Sequence, residues 1–300
     1  MSQDDRTQTY RLLTYNIGGG RQQAASDMAA VRTVIREAAP DVVALQEVTC
    51  IQDAAGNWYS DLEAIQEALG ESFAAFYTPS VTLSQHLHIG KTAMLEALFR
   101  DDRDWQQGNA LLSRWPFHRL GERSLPGEAR RVPLFRPTQY LGSRDTEPRN
   151  AIVARLGRPP FYPLVIATHL TTLSGERGTD ELPGRSAEAR RLRAEQARQL
   201  VGLLAAARRR DEVVFLLGDF NAAADEESIR QVLVGQGEFL HLRPAQANIG
   251  THPKVPTPID HIFVYPASRL VDYRCHIIDS DLAQRASDHL PVLAEVTLRG

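Results

Sequence analysis

Val213-Val214-Phe215-Leu216-Leu217 is an unbroken apolar run, rich in β-branched and aromatic residues, that leads directly into Gly218-Asp219-Phe220-Asn221. Such a run predicts a strand buried on both faces, which delivers a carboxylate and an amide to the rim of a sheet. The design recurs along the chain. Leu12 to Ile17 holds Asn16 before Gly18-Gly19-Gly20, Val42 to Glu47 closes on Glu47, and Leu164 to His169 closes on His169. Ile259 to Val264 carries Asp260 near its start, and Asp288-His289 stands just before the last apolar strand. Six apolar segments thus bear Asn, Glu, His, Asp, Asn, Asp, Asp and His at their ends. Convergence of these ends on one edge would make a metal-hydrolase site.

Helical patterns alternate with the strands. Ala24 to Ala39 places Met28, Val31, Val34 and Ile35 on one face, and Pro40 stops it. Ser60-Asp61-Leu62-Glu63 is a capping box opening a helix that Gly70 closes. Ser186 is expected to cap a long helix with Leu192, Ala197, Leu200, Val201 and Leu204 inward; Arg208-Arg209-Arg210 lie at its C-terminal end, where cations suit the dipole. Asp225 is expected to cap a further helix ended by Gly235, and Asn109 to Arg114 and Asn150 to Leu156 read as strands. This rhythm predicts an α/β layered fold.

Two stretches break the rhythm and read as insertions. Residues 78–107 combine a Thr/Ser/His-rich piece with a helical pattern from Lys91 to Arg100. Residues 119–149 hold seven arginines against four acids, with four prolines, and read as a loop or edge hairpin. Thr171 to Gly184, rich in Gly, Thr and Pro, reads as a mobile connection beside the site. With no repeat, low-complexity linker or composition break, residues 1–300 are expected to form a single domain, its core spanning about Tyr10 to Val296.

Composition narrows the function classes. At 43% apolar and 24% charged residues the 300-residue chain is an ordinary soluble globular protein. A net charge of −3 and a pI near 6.3 argue against a strongly basic nucleic-acid binder, though not against a local basic groove. Cys50 and Cys275 have no metal-ligand spacing and build no disulfide framework, so a reduced, cytoplasmic setting is expected. The polar N-terminus does not read as a secretory signal, and no apolar run approaches the ~18 residues of a membrane span.

Glu47 at the end of a buried strand calls for a cation or for solvent. Mg²⁺ prefers one or two carboxylates, some waters and the substrate's own phosphate oxygens, and Asn16 and Asp288 are natural further ligands. Asp260 can fix the tautomer of His289, which then takes a proton from water. Asp219 can orient that water or protonate the leaving oxygen, while Asn221 and His169 donate to phosphoryl oxygens. Taken singly, a solvated strand end is an equal reading of Glu47, and a core histidine an equal reading of His169; the repetition over six strand ends weighs against both. Arg149, at the mouth of a strand, and Asn109 are candidate substrate contacts, a guanidinium fork suiting phosphate. A solvated charged hairpin accounts for the arginines of 119–149 at least as well. His86 and His88 read as ordinary surface histidines, and Trp58, Trp105 and Trp115 share no spacing that builds a stacking platform.

In order, Thr-Tyr-Asn-Ile, Leu-Gln-Glu-Val, Gly-Asn-Ala-Leu-Leu-Ser-Arg-Trp-Pro, Ala-Thr-His-Leu, Leu-Gly-Asp-Phe-Asn-Ala, Ile-Asp-His-Ile-Phe-Val and Ser-Asp-His-Leu-Pro-Val resemble the endonuclease/exonuclease/phosphatase superfamily. The resemblance covers nearly the whole chain. It implies a four-layer sandwich of two packed mixed β-sheets flanked by helices, and cleavage of phosphate esters with Mg²⁺ or Mn²⁺. It also implies Glu47 as principal metal ligand, Asn16 and Asp288 near the metal, Asp219 and Asn221 around water and phosphate, and His289 paired with Asp260. His169 resembles the histidine of pancreatic-deoxyribonuclease-like and sphingomyelinase-like members. Gly18-Gly19 stands where the repair endonucleases carry an added acid, and the arginine-bearing strands of the inositol polyphosphate 5-phosphatases have no close match here.

The sequence therefore predicts a Mg²⁺-dependent phosphodiesterase acting by in-line attack of water on a nucleic acid, a lipid headgroup or a small molecule. A DNA or RNA nuclease, a phosphomonoesterase and a non-catalytic binding module of the same fold are the alternatives. No protein partner is evident.

Overall fold

A computed structural model describes residues 7–18, 27–87, 102–137, 146–173, 183–246 and 248–300. Its strands form two sheets. The first sheet holds β1 (Thr7–Asn16), β2 (Val42–Asp53), β3 (Trp58–Ser60), β4 (Ala74–Thr82), β5 (Asp102–Ser113), β13 (Leu270–Ile277) and β14 (Val292–Arg299), in the order β13-β14-β1-β2-β5-β4 with β3 on β2. The second holds β6 (Phe117–His118), β7 (Arg130–Phe135), β8 (Arg149–Leu156), β9 (Leu164–His169), β10 (Val214–Asp219), β11 (Leu240–His241) and β12 (Asp260–Tyr265), in the order β11-β12-β10-β9-β8-β6 with β7 on β8. Both sheets are mixed: β1 is parallel to β2 and β9 to β10, and the remaining pairs are antiparallel.

Alternation along each strand sorts side chains into layers. Leu12, Val42, Ala44 and Leu111 of the first sheet meet Ile152, Val165, Phe215, Leu217 and Ile262 of the second in a core between the sheets. The intervening residues Leu13, Tyr15, Val43 and Leu45 face outward onto helices α1 (Met28–Ala38), α2 (Asp61–Leu69) and the short Asp281–Ala286 helix, where Val31, Ile35, Ile65 and Ala283 cover them. On the other side Val214, Leu216 and Phe263 meet Leu200 and Leu204 of the long Pro183–Arg209 helix and Ile229, Val232 and Leu233 of a π-helical segment, Ser228–Gln236. This is the expected four-layer sandwich. Burial on both faces is why the strands read as continuous apolar runs, each large side chain contributing about 1.5–3 kcal/mol.

Several boundaries differ from those expected. Helix α1 starts at Met28 behind the cap Asp27, which accepts from the Ala29 and Ala30 N–H groups; residues 24–26 lie outside the described ones. The long helix begins at Pro183, whose fixed φ suits a first turn, so Ser186 is inside it and not its cap. Asp225 lies in the turn before the π-helical segment, and Gly237, not Gly235, ends it. Thr78–Thr82 and Asp102–Gln107 belong to β4 and β5, and Leu83–Leu87 between them is a short helix. Residues 88–101, with His88, and the side chain of His86 lie outside the described residues. Within 119–149, β7 pairs along the edge of β8 as a hairpin strand.

The connection after His169 starts firmly anchored. Thr171 N–H donates to Gln196 Oε1 (3.0 Å), Gln196 Nε2 to Thr171 Oγ1 (2.7 Å), and the Arg193 guanidinium to the Thr172 carbonyl (3.1 Å). Arg193 is fully buried and paired with Glu226 at 2.7 Å. Residues 174–182, the rest of the stretch read as mobile, lie outside the described ones. Removing one partner of a buried pair strands the other, so Arg193→Met is expected to destabilise the fold by about 3–5 kcal/mol. Urea unfolding measures this, and an unchanged midpoint would contradict it.

Candidate active site

The C-terminal ends of β1, β9 and β10 and the start of β12 come together at one edge of the sandwich. Asp219 lies opposite His169 across the parallel β9–β10 pair and opposite Asp260 across the antiparallel β10–β12 pair. Gly218 makes the first approach possible, because a Cβ there would stand 2.1 Å from the Thr168 carbonyl oxygen. Asp219 is the hub: its Oδ2 accepts from Asn16 Nδ2 (2.9 Å), and His169 Nε2 and His289 Nε2 face the same oxygen at 3.5 and 3.7 Å. Its Oδ1 accepts the Asn221 N–H at 2.8 Å.

Glu47 is not at a strand end. Strand β2 continues to Asp53, and Glu47 sits in a β-bulge within it: Leu45 pairs with Ala110 and Val48 with Gly108, leaving Gln46 and Glu47 opposite Asn109 alone. Glu47 adopts φ 57°. A bulge inserts one residue and re-aims a side chain, here turning the Glu47 carboxylate to within 3.5 Å of Asn16 Nδ2. Asn221 also has a positive φ, 49°, so two left-handed residues outside glycine belong to this cluster, where such strain concentrates.

His289 Nδ1 donates to Asp260 Oδ2 at 2.9 Å, the expected carboxylate-oriented imidazole. Burial acts to lower the His289 pKa, but the charges of Asp260 and Asp219, the hydrogen bond to Asp260 and the charge of Asp288 together outweigh it and raise the pKa to about 9. The pair is braced by residues the sequence did not mark. Ser287 Oγ donates to the Asn16 carbonyl (2.8 Å) and accepts the His289 N–H (3.2 Å), tying the end of β1 to the imidazole. Thr251 Oγ1 accepts the N–H groups of Ile259 (3.0 Å) and Asp260 (3.3 Å). Ser287 opens the Ser-Asp-His-Leu-Pro-Val motif without being singled out there, whereas Thr251 and its neighbour His252 lie in a Pro-rich loop without periodicity.

The other expected residues take different positions. Asp288 is not drawn into the hub: its carboxylate sits at the rim, 58% exposed, with Oδ2 3.8 Å from His252 Nε2. Asn221 spends one N–H of Nδ2 on the Leu170 carbonyl (3.2 Å), while its buried Oδ1 has no partner among the described residues. Asn109 is buried mid-strand with Nδ2 donating to the Asn150 carbonyl (3.1 Å) and Oδ1 (3.3 Å). Arg149 is nearly buried and paired with Glu147 at 3.1 Å. A cleft lined by Glu47, Ser80, Gln107, Asn109, Arg149 and His169 opens beside the hub.

Two groupings differ in the chemistry they suit. Ligand atoms of Asp219, Asp260 and His289 lie within 4.8 Å of one another, but His289 Nδ1 is committed to Asp260, so the three read as a carboxylate–imidazole–carboxylate relay. Glu47 and Asp219 present carboxylate oxygens to the Nδ2 of Asn16, whose Oδ1 accepts the Gly18 N–H. Two buried carboxylates sharing one amide donor fit a hard divalent cation.

A family model described as the endonuclease/exonuclease/phosphatase family matches residues 13–289. The chain belongs to the endonuclease/exonuclease/phosphatase family. Members of this family are hydrolases acting on phosphate esters and are generally dependent on divalent metal. A family member from Beutenbergia cavernae shares 22% identity and superposes with a TM-score of 0.67 over 97% of this chain and 72% of that one. The human nocturnin catalytic domain, solved with a sulfate anion, shares 16% identity with a TM-score of 0.64 over 99% of this chain and 96% of that one. A mannosyl-6-phosphatase of Bacteroides thetaiotaomicron shares 16% with a TM-score of 0.57 over 96% of this chain and 99% of that one. At these identities the likeness is one of fold. No curated protein matches the sequence. Among the described residues no helix is long and apolar enough to cross a membrane.

Proposed function

We propose that this family member is a Mg²⁺-dependent phosphodiesterase, with Mn²⁺ able to substitute. The observation that carries the reading is the unbroken contact chain from the Asp260–His289 pair through Asp219 to Asn16 and Glu47. Glu47 and Asn16 would hold the cation, with Asp288 reaching in from the rim; when bound it supplies charge neutralisation on phosphate and leaving-group oxygens. His289, held by Asp260 and aimed at Asp219, takes the proton of the attacking water, and Asp219 orients that water. His169 and the second N–H of Asn221 donate to phosphoryl oxygens as their charge grows. Arg149 and Asn109 line the cleft that receives the rest of the ester.

A net charge of −3, and a cleft arginine already matched by Glu147, support a small or headgroup diester over a nucleic acid, for which Lys and Arg contacts to phosphate dominate affinity. The test compares bis(p-nitrophenyl) phosphate, p-nitrophenyl phosphate and supercoiled plasmid in Mg²⁺ at low and high salt. Hydrolysis of the diester over the monoester, abolished by EDTA, is expected. Plasmid nicking that falls steeply with salt would instead favour the nuclease, and inertness of all three with Mg²⁺ and Mn²⁺ would sink the reading.

A further inference from the structure

We propose that His252 is a positioning residue of this site, orienting the Asp288 carboxylate and buttressing the His289 ring. The inference rests on the phosphodiesterase reading above. The Lys254 backbone N–H donates to His252 Nδ1 at 3.1 Å, which commits that nitrogen's lone pair and leaves the hydrogen of the neutral ring on Nε2. Nε2 points to Asp288 Oδ2 at 3.8 Å, so a small rotation of the carboxylate completes a hydrogen bond. A protonated Nε2 has no lone pair for a cation. His252 is therefore a donor to a candidate ligand and not a ligand itself.

The surroundings make this a built position. His252 is 3% exposed and meets the His289 ring edge-on, with centroids 4.9 Å apart and planes at 71°. Its loop is fastened at both ends of the relay, because Thr251 Oγ1 holds the N–H of Asp260 and the Thr251 carbonyl accepts the N–H of Leu290 at 2.7 Å. On the opposite side of Asp288 stands Gly18, at φ +60°, where a Cβ would lie 3.0 Å from Asp288 Oδ1. The Gly18 N–H donates to Asn16 Oδ1 at 3.0 Å. Asp288 thus lies between a glycine backbone that also fixes Asn16 and an imidazole N–H. An exposed carboxylate samples several rotamers, and a donor of fixed direction reduces that freedom.

The experiment uses the full chain. Long-range ¹⁵N–¹H correlation spectra of the metal-free protein are expected to place the His252 hydrogen on Nε2; a hydrogen on Nδ1 overturns the proposal. Calorimetric titration with Mn²⁺ then compares wild type with His252→Phe, which keeps a ring but loses the donor, and His252→Gln, which keeps an N–H. Outer-shell donors are worth about 10- to 100-fold in metal affinity, so His252→Phe is expected to weaken Mn²⁺ binding by that factor and His252→Gln to recover most of it. Equal Mn²⁺ affinity in wild type and His252→Phe overturns the inference, as does a His252→Gln that binds as weakly as His252→Phe. Wild type measured beside Glu47→Gln separates the two levels. If wild type binds Mn²⁺ and hydrolyses a diester, only the role of His252 is at stake; if it does neither, the phosphodiesterase reading fails and this inference with it.

Discussion

Glu47→Gln is expected to lower kcat/KM for a phosphodiester by on the order of 10³-fold, the equivalent of about 4 kcal/mol of transition-state charge stabilisation. The substitution is nearly isosteric, and the bulge that sets the Glu47 backbone is fixed by the β2–β5 register, so the unfolding midpoint should hold while Mn²⁺ binding is lost. The neutral amide retains an oxygen donor but removes the buried formal charge that a hard cation requires, leaving Asn16 and the exposed Asp288. Steady-state kinetics with Mg²⁺ titrated to saturation distinguishes weakened binding from lost chemistry. Activity within a few-fold of wild type would remove Glu47 from the metal site and leave Asp219 as the buried carboxylate to test.

His289→Ala is expected to cost about 10²- to 10⁴-fold, the range for a positioned general base. The pH profile carries more information than the loss. A base must be unprotonated to act, and the His289 pKa is raised to about 9 in the chain without a cation, so the imidazole carries a proton at neutral pH. The rate should therefore climb with pH, with slope one, toward a limb at or below about 9, because a cation beside Asp219 opposes the imidazolium and moves the limb down. Asp260→Asn removes an anion that raises this pKa, so its limb moves to lower pH as its maximal rate falls. A wild-type profile flat from pH 6 to 9, or an Asp260→Asn limb moved upward, would contradict the role of His289.

The parts of this molecule that the sequence disclosed are those where burial on both faces forces an unbroken apolar run. Asp219, His169 and Asp260 end or begin such runs, and the structure sets them opposite one another in adjacent strands. The bulge at Glu47 was invisible for the same reason: in a strand buried on both faces there is no alternation for an extra residue to break, so Val42 to Glu47 read as a strand that stops. Segment 78–107 misled in the opposite way. Gln107 faces the cleft, and a cleft-facing polar residue in β5 blurs the apolar pattern that marks a strand. Thr251 and Ser287 bond to backbone groups distant in sequence, and His252 faces the side chains of Asp288 and His289 far along the chain; no local spacing records such partners. The π-helical segment reads as an ordinary helix because its inward residues Ile229, Val232 and Leu233 keep a spacing close to the α-helical one.

Asn16 and Glu47 belong to the first sheet, His289 lies in the turn that leads into its strand β14, and His169, Asp219 and Asp260 belong to the second. Asn16 to Asp219 and His289 to Asp260 are hydrogen bonds across the seam between them. Neither sheet alone contains a complete relay or the Glu47–Asp219 pair that shares the Asn16 amide. Catalytic competence is thus a property of docking rather than of either half, and it comes into being only when the apolar layer between the sheets has closed. Sliding one sheet along the other would break the relay before it exposed much of that layer, so turnover would be a more sensitive gauge of the sandwich's alignment than its stability is.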